Sequence, residues 1–523
     1  MRERGKNPII DKTDRRRQNF EAKIGNRFFF FLSLVSRGLE QASYRIEINR
    51  TFRSPDRLRL GDLPRMIDDT ITGPTPLPAN HIPHDRIGSM TLSRSLAYAA
   101  ISIVSFGVTA FGQNASKVAP ANYDETKIKP YTLPDPLVFA DGSKVDSPEK
   151  WPARRAELLA SITREMFGTS PQGDVKITVN SSSEKDDSLG GLARRRLLRL
   201  HFEKDGHSHP VDVLIYTPKN AVGKVPAFMG LNFNGNHAVT NEPDVPLPTS
   251  WMRNAPAIGV TDHKATEKGR GSEASRWQAE KLMKAGYGLV TIYYGDIDPD
   301  FDDGFANGIH TLFRKPGQAR TPDEGGSITA WAWGLSRVLD HLERDDRIDA
   351  SRIAVIGHSR LGKTSLWAAA VDPRFALAIV NNSGCGGAAI ERREFGETVE
   401  RINAAFPHWF AENFRKYARN EDKLPFDAHS IIALVAPRPI YVASAAEDLW
   451  ADPKGEFLGA LGADPVYRLL SGEGLPTKEM PAIDSPVMGR IAYHNRTGKH
   501  DVLAYDWDQF IAFADKYLKL KEN

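Results

Sequence analysis

Apolar residues along this chain gather in short blocks that alternate between a strand-like and a helix-like spacing. Residues 197–202 and 211–216 read as antiparallel edge strands, and the more continuous runs at 227–231 and 288–294 read as core strands. Between and around them the spacing turns helical. Residues 151–160, WPARRAELLA, begin an amphipathic pattern that continues through Ile162 and Met166, and further helical patterns cover 276–285 and 328–342. At 352–370 the sequence RIAVIGHSRLGKTSLWAAA predicts a buried strand, a sharp turn and a helix. Apolar strands follow at 376–380 and 439–443, and a last amphipathic helix at 506–518. This order predicts an α/β fold with a mixed, mostly parallel sheet sandwiched by helices. The stretch 237–276, with Pro243, Pro246 and Pro248, is too long for a simple connection and is expected to shape one rim of a site.

The turn in 352–370 carries Ser359. A serine held between a strand end and a helix N-terminus has its hydroxyl pushed outward, and the N–H of Arg360 becomes available to a developing oxyanion. Residues 357–364, GHSRLGKT, also satisfy the phosphate-loop pattern G-x-x-x-x-G-K-[ST], which likewise wants a strand before and a helix after. A nucleotide-binding protein would place an Asp for magnesium at the end of a later strand, but 376–380 runs into Asn381 and Asn382. Such a loop also normally opens its domain, and several strands precede this one. The α/β-hydrolase order of Ser, then an acid, then His is met instead.

Composition changes this picture little, and the beginning of the chain changes it more. The 523 residues carry a formal net charge of +3, so no strong field recruits nucleic acid; one cysteine, Cys385, excludes an intrachain disulfide. From Met90 the sequence reads MTLSRSLAYAAISIVSFGVTAFGQ. It has Arg94, an apolar run at 96–110, and small residues Ala110 and Gly112 at the spacing of a secretory signal peptide. The run is shorter than the ~20 apolar residues of a membrane span, so stable membrane insertion is not expected. The expected organisation is therefore a non-native or disordered extension at 1–89, a signal peptide at 90–112 starting at Met90, and one catalytic domain at 113–523. The protein would be secreted or periplasmic, and a monomer.

A serine hydroxyl needs a base within hydrogen-bond reach, and the base needs an acid that fixes its tautomer. His500, in the turn before the last helix, is the candidate base; His494 competes but is expected to be structural. His358, beside the serine, is expected to point the other way off the turn and serve packing. Asp448, shortly after the strand 439–443, is the candidate acid, with Glu447 and Asp452 in the same loop as alternatives.

GHSRLGK, VNNSGCGGAA, GETVERINAAFPHWF, LPFDAHSIIALVAPRPIYVASAAEDLWADPKGEF and RTGKHDVLAYDW together resemble the bacterial branch of the glucuronoyl esterases, carbohydrate esterase family 15. The resemblance implies hydrolysis of esters of glucuronic or 4-O-methylglucuronic acid on glucuronoxylan, notably those to lignin alcohols, with neither metal nor organic cofactor. It implies Ser359 as nucleophile, His500 as base, and Arg360 as an oxyanion donor through its backbone and guanidinium. It also implies that Lys363 and Glu397 bind sugar hydroxyls and that Trp450 lines the uronate pocket. Some members carry a Glu where this chain has Asn382. Asn cannot ionise, so the acid is expected at Asp448. An acetylxylan esterase, with a small apolar acyl pocket, is the alternative within the same chemistry.

Overall fold

The computed structural model describes residues 118–315 and 317–519; the expectations for 1–89 and 90–112 lie outside these residues. Twelve strands are described: β1 (Lys176–Ser188), β2 (Ala193–Lys204), β3 (His207–Pro218), β4 (Val225–Asn232), β5 (Val260–Thr261), β6 (Lys264–Ala265), β7 (Gly288–Tyr293), β8 (Ile348–His358), β9 (Leu377–Asn381), β10 (Ile440–Ala445), β11 (Val487–Met488) and β12 (Ile491–Arg496). β5 and β6 form a small separate ribbon. The other ten make one sheet in the order β1-β2-β3-β7-β4-β8-β9-β10-β12-β11. β7 to β12 through β4, β8, β9 and β10 are parallel, while β1, β2, β3 and β11 attach antiparallel. This is the α/β-hydrolase arrangement expected.

The pleat of the central strands divides the core in two. In β8, Ile353 and Val355 face a core with Trp331, Leu335 and Trp367 from the helices Ser327–Leu342 and Arg360–Val371. Ala354 and Ile356 face the opposite core with Trp507, Phe510 and Phe513 of the helix Ala504–Leu518. Period-two alternation in a β-branched strand thus supplies both layers. Trp367 is 1% exposed and stacks on Phe167 at 4.2 Å between ring centroids. Burying such a ring contributes about 1.5–3 kcal/mol, and the aromatic pair about 0.5–1.5 more. It fixes the helix that follows Ser359 against the rest of the domain.

Two expectations need correction, and one strand was not expected. The strands around 197–202 and 211–216 are not at the edge; β1 lies outside them, and its polar sequence KITVNSSSEKDDS hides it because most of its side chains face solvent. The helix expected at 276–285 is two short helices, Ala274–Trp277 and Ala279–Lys284, broken at Gln278, whose φ is 45°. β12, which carries His494, has only buried residues and no alternation to reveal it.

Candidate active site

Everything at the candidate site is arranged around the end of β8. Ser359 has φ 58° and ψ −129°, a left-handed backbone that a non-glycine residue holds only when its surroundings impose it. Two features impose it. Ser359 N–H donates to Asn381 O of β9 at 2.9 Å, and the carbonyl of Ser359 accepts from Gly362 and Lys363 N–H at 2.8 and 3.1 Å. The close return of the helix requires Gly357, where a Cβ would stand 1.8 Å from Leu361 O. Arg360 N–H, first in the helix, has no backbone acceptor among the described residues.

His500 follows β12 in a loop held from beneath. Arg496, 1% exposed, pairs with Asp506 and donates to Lys499 O and Asp501 O, on either side of His500. His500 Nδ1 lies 2.6 Å from Asp448 Oδ2, and Asn382 Nδ2 donates to the same oxygen at 2.8 Å. Burial pushes the Asp448 carboxyl up, but the hydrogen bond and charge of His500, with the Asn382 amide, outweigh it and hold the carboxyl below the ordinary range. The alternatives are placed elsewhere. Glu447 is exposed, and Asp452 caps the helix Pro453–Ser471 and pairs with Arg393 at 2.7 Å. His494 is fully buried between Tyr441 and Asp506, at 3.0 and 2.9 Å, as a structural residue would be.

His358 departs from expectation. Its ring stands 4.4 Å from that of His500 and does not point away from it. The reason is strand parity: residues 354, 356 and 358 share the face covered by the helix Ala504–Leu518, whose leading loop carries His500. His358 is still a packing residue. Asn381 Nδ2 lies 2.8 Å from its Nδ1, and burial and the neighbouring His500 push its pKa well down, keeping the ring neutral.

Arg360 is set among aromatic rings, with its guanidinium 4.7 Å from the ring of Trp409 and 5.2 Å from that of Phe406. Its NH1 donates to Asp300 Oδ2, and its Nε is buried without a partner among the described residues. Asp300 also receives Trp409 Nε1 at 2.7 Å and Tyr294 OH at 3.0 Å, and lies 2.9 Å from His408 Nε2. Burial would raise this carboxyl, but the charge of Arg360 and the contact with His408 drive it well below the usual carboxylate range. Asp300, His408 and Trp409 carry no motif that a sequence reader could connect. From the long 237–276 stretch, Arg253 reaches to 3.6 Å from Asp300, so that stretch does border the site.

One turn along the same helix, Lys363 Nζ donates to Glu397 Oε2 at 2.8 Å and to Ser383 O, with the lysine only 3% exposed. The loop supplying Ser383 is held by Glu456, which accepts from Ser383 N–H at 2.6 Å and Gly384 N–H at 3.1 Å. Glu397 N–H donates to Trp450 O at 2.9 Å, so Lys363, Glu397 and the backbone of Trp450 are connected in series.

Comparison with known proteins agrees with this geometry. Residues 318–471 match the family described as "Glucuronyl esterase, fungi". The chain is 50% identical over 400 residues to carbohydrate esterase MZ0003 from an unknown prokaryotic organism, covering 76% of this chain and 92% of that protein. A solved structure of a promiscuous esterase of carbohydrate esterase family 15, from the marine bacterial metagenome, is 49% identical with a TM-score of 0.72, covering 76% of this chain and all of that one. The glucuronoyl esterase from Solibacter usitatus is 45% identical with a TM-score of 0.70, covering 75% of this chain and all of that one. With a Ser-bearing elbow, a His–carboxylate pair beside it and this similarity along most of the chain, the protein is a carboxylic ester hydrolase and belongs to the glucuronoyl esterases of carbohydrate esterase family 15.

Proposed function

We propose that this enzyme hydrolyses esters of glucuronic or 4-O-methylglucuronic acid on glucuronoxylan, including those to lignin alcohols, through a covalent glucuronoyl-enzyme. Ser359 Oγ attacks the ester carbonyl as His500 Nε2 takes its proton. The oxyanion that forms is met by Arg360 N–H and by the guanidinium. Collapse breaks the bond to the alcohol, which leaves with the proton from His500. Water, activated by the same imidazole, then releases the uronic acid. Asp448, bonded to Nδ1, keeps Nε2 free to accept and stabilises the imidazolium.

The observation that carries the substrate reading is the buried Lys363–Glu397 pair one turn from Ser359. The ammonium has one donor left beyond its bonds to Glu397 and Ser383, and Glu397 has a second oxygen. Together they can meet vicinal hydroxyls as donor and acceptor, with Trp450 against the apolar face of the ring. A small acetyl group would use none of these. The test compares benzyl glucuronate with phenyl acetate: the uronate should be strongly preferred, and Ser359→Ala should abolish its turnover without unfolding the protein. Preference for the acetate would favour a broader acyl esterase, as would suit the relative described as promiscuous. The signal-like segment at 90–112 supports export; N-terminal sequencing of the protein from its native host should find a start near Gln113.

A further inference from the structure

We propose that Tyr123 and Leu449, bordering Trp450 of the uronate pocket, form a second sugar-binding platform, which takes the neutral pyranose units to which the uronate is attached. The proposal rests on Lys363 and Glu397 holding the uronate hydroxyls. The loop Phe395-Gly396-Glu397 is clasped from both sides: Gly396 N–H donates to Asn122 O at 2.8 Å, and Glu397 N–H to Trp450 O at 2.9 Å. Gly396, at φ +62°, passes so close that a Cβ would stand 2.4 Å from Leu449 O. The segment bearing Tyr123 is tied down further along. Glu125 pairs with Arg393 at 2.6 Å and Lys454 at 3.0 Å, and Arg401 donates to Ala119 O.

On this fixed base the apolar side chains are left open. Tyr123 is 50% exposed, Leu449 43% and Trp450 36%. Among the described residues, the large exposed apolar side chains include two aromatic rings, and these are Tyr123 and Trp450. Single exposed apolar residues need no explanation, but two rings and a leucine around one loop form a surface. Both rings are braced: Tyr123 meets Phe395 edge-on at 6.1 Å, and the Arg401 guanidinium lies 5.9 Å from the Trp450 ring.

Substrate chemistry gives the direction. In a hexuronate the ester carbon is attached to C5, and the glycosidic oxygen on C1 neighbours the 2-hydroxyl across the ring. With the ester carbon at Ser359 and the hydroxyls at Lys363 and Glu397, the polysaccharide leaves on the Glu397 side, where Tyr123 and Trp450 stand. The leaving alcohol, bonded to the ester oxygen, departs from the Ser359 end. Apolar C–H faces of pyranoses suit such rings, and the occupant is therefore a neutral xylan chain and not the aromatic alcohol.

The test uses benzyl esters of glucuronic acid, free or linked to xylose, xylobiose or xylotriose, with the full-length enzyme. For the wild type, kcat/KM should rise on adding the first or second xylose, mainly through KM. The ratio of xylo-linked to free substrate should drop about three- to tenfold in Tyr123→Ala, the size of an aromatic contact, and recover in Tyr123→Phe. No rise along the wild-type series overturns the proposal without needing any variant. So does an unaltered ratio in Tyr123→Ala, or a change that follows the alcohol, methyl against benzyl, instead of the sugar. A wild type that hydrolyses no uronate ester overturns the underlying substrate reading, and this proposal with it.

Discussion

Replacing Asp300 by Asn isolates what the buried carboxylate does for Arg360. Asp300 is 1% exposed and is surrounded by Trp409 Nε1, Tyr294 OH, His408 Nε2 and the Arg360 guanidinium. Asn keeps the shape but loses the charge, and one end becomes an NH2 facing donors. Removing one partner of a buried ion pair costs roughly 3–5 kcal/mol, because the other charge is left uncompensated. The Arg360 side chain is 22% exposed, so water offsets part of this and the lower end applies. For a domain of this size, about 1–2 °C of Tm per kcal/mol gives a fall of about 3–6 °C. The chemical effect is separate. If the Arg360 guanidinium meets the oxyanion as proposed, one no longer fixed by Asp300 loses its aim, and losing one such donor lowers kcat by roughly 10²–10³ while leaving ground-state binding nearly alone. Steady-state hydrolysis of benzyl glucuronate, with calorimetry on the same sample, reads both. A variant with the expected loss of Tm but wild-type kcat would refute the positioning role and leave Asp300 as scaffold only.

Other outcomes follow from the same contacts. Asp448→Asn should lower kcat by about 10⁴, because an amide facing His500 Nδ1 favours the wrong tautomer; adding Asn382→Glu should recover part of it, since Asn382 Nδ2 is 2.8 Å from the Asp448 oxygen. Glu397→Gln should raise KM for the uronate ester and lower Tm by a few degrees, as the Lys363 ammonium loses its counter-charge; unchanged KM would remove Glu397 from the sugar site. Asp300 and Asp448 both have folded pKa values below the unfolded one of about 3.9, so each stabilises the fold above that pH and ceases to as pH falls through its folded value. Melting temperatures between about pH 5 and pH 3 should therefore drop less steeply for Asp300→Asn than for the wild type.

How much of this was legible in the sequence depended on whether the signal was local. The Ser359 elbow was, because strand, turn and helix are contiguous and Gly357 marks the close approach. Asp448 and His500 were legible from chain order, each lying after a recognisable strand or before a recognisable helix. The Asp300 cluster was not: Tyr294, Asp300, Arg360, His408 and Trp409 come from three separated segments, and only the fold brings their polar atoms together. β1 stayed hidden because an outer strand with both faces wet has no apolar alternation, and β12 because its residues are all buried. His358 was misdirected by treating the elbow as a turn alone, when its place in the β8 alternation decides its face.

The pairing of Arg360 with Asp300 also bears on what happens once the ester is gone. Hydrolysis leaves a uronate anion where a neutral group had stood, and a lone guanidinium would clamp it through two parallel hydrogen bonds. Here the guanidinium already gives one of its nitrogens to Asp300, and Lys363 is likewise cancelled by Glu397. On the proposed mechanism the site thus presents to a short-lived oxyanion directed donors that already hold carboxylate partners. Release of the free acid is left unopposed, and accumulating product should be a poor inhibitor.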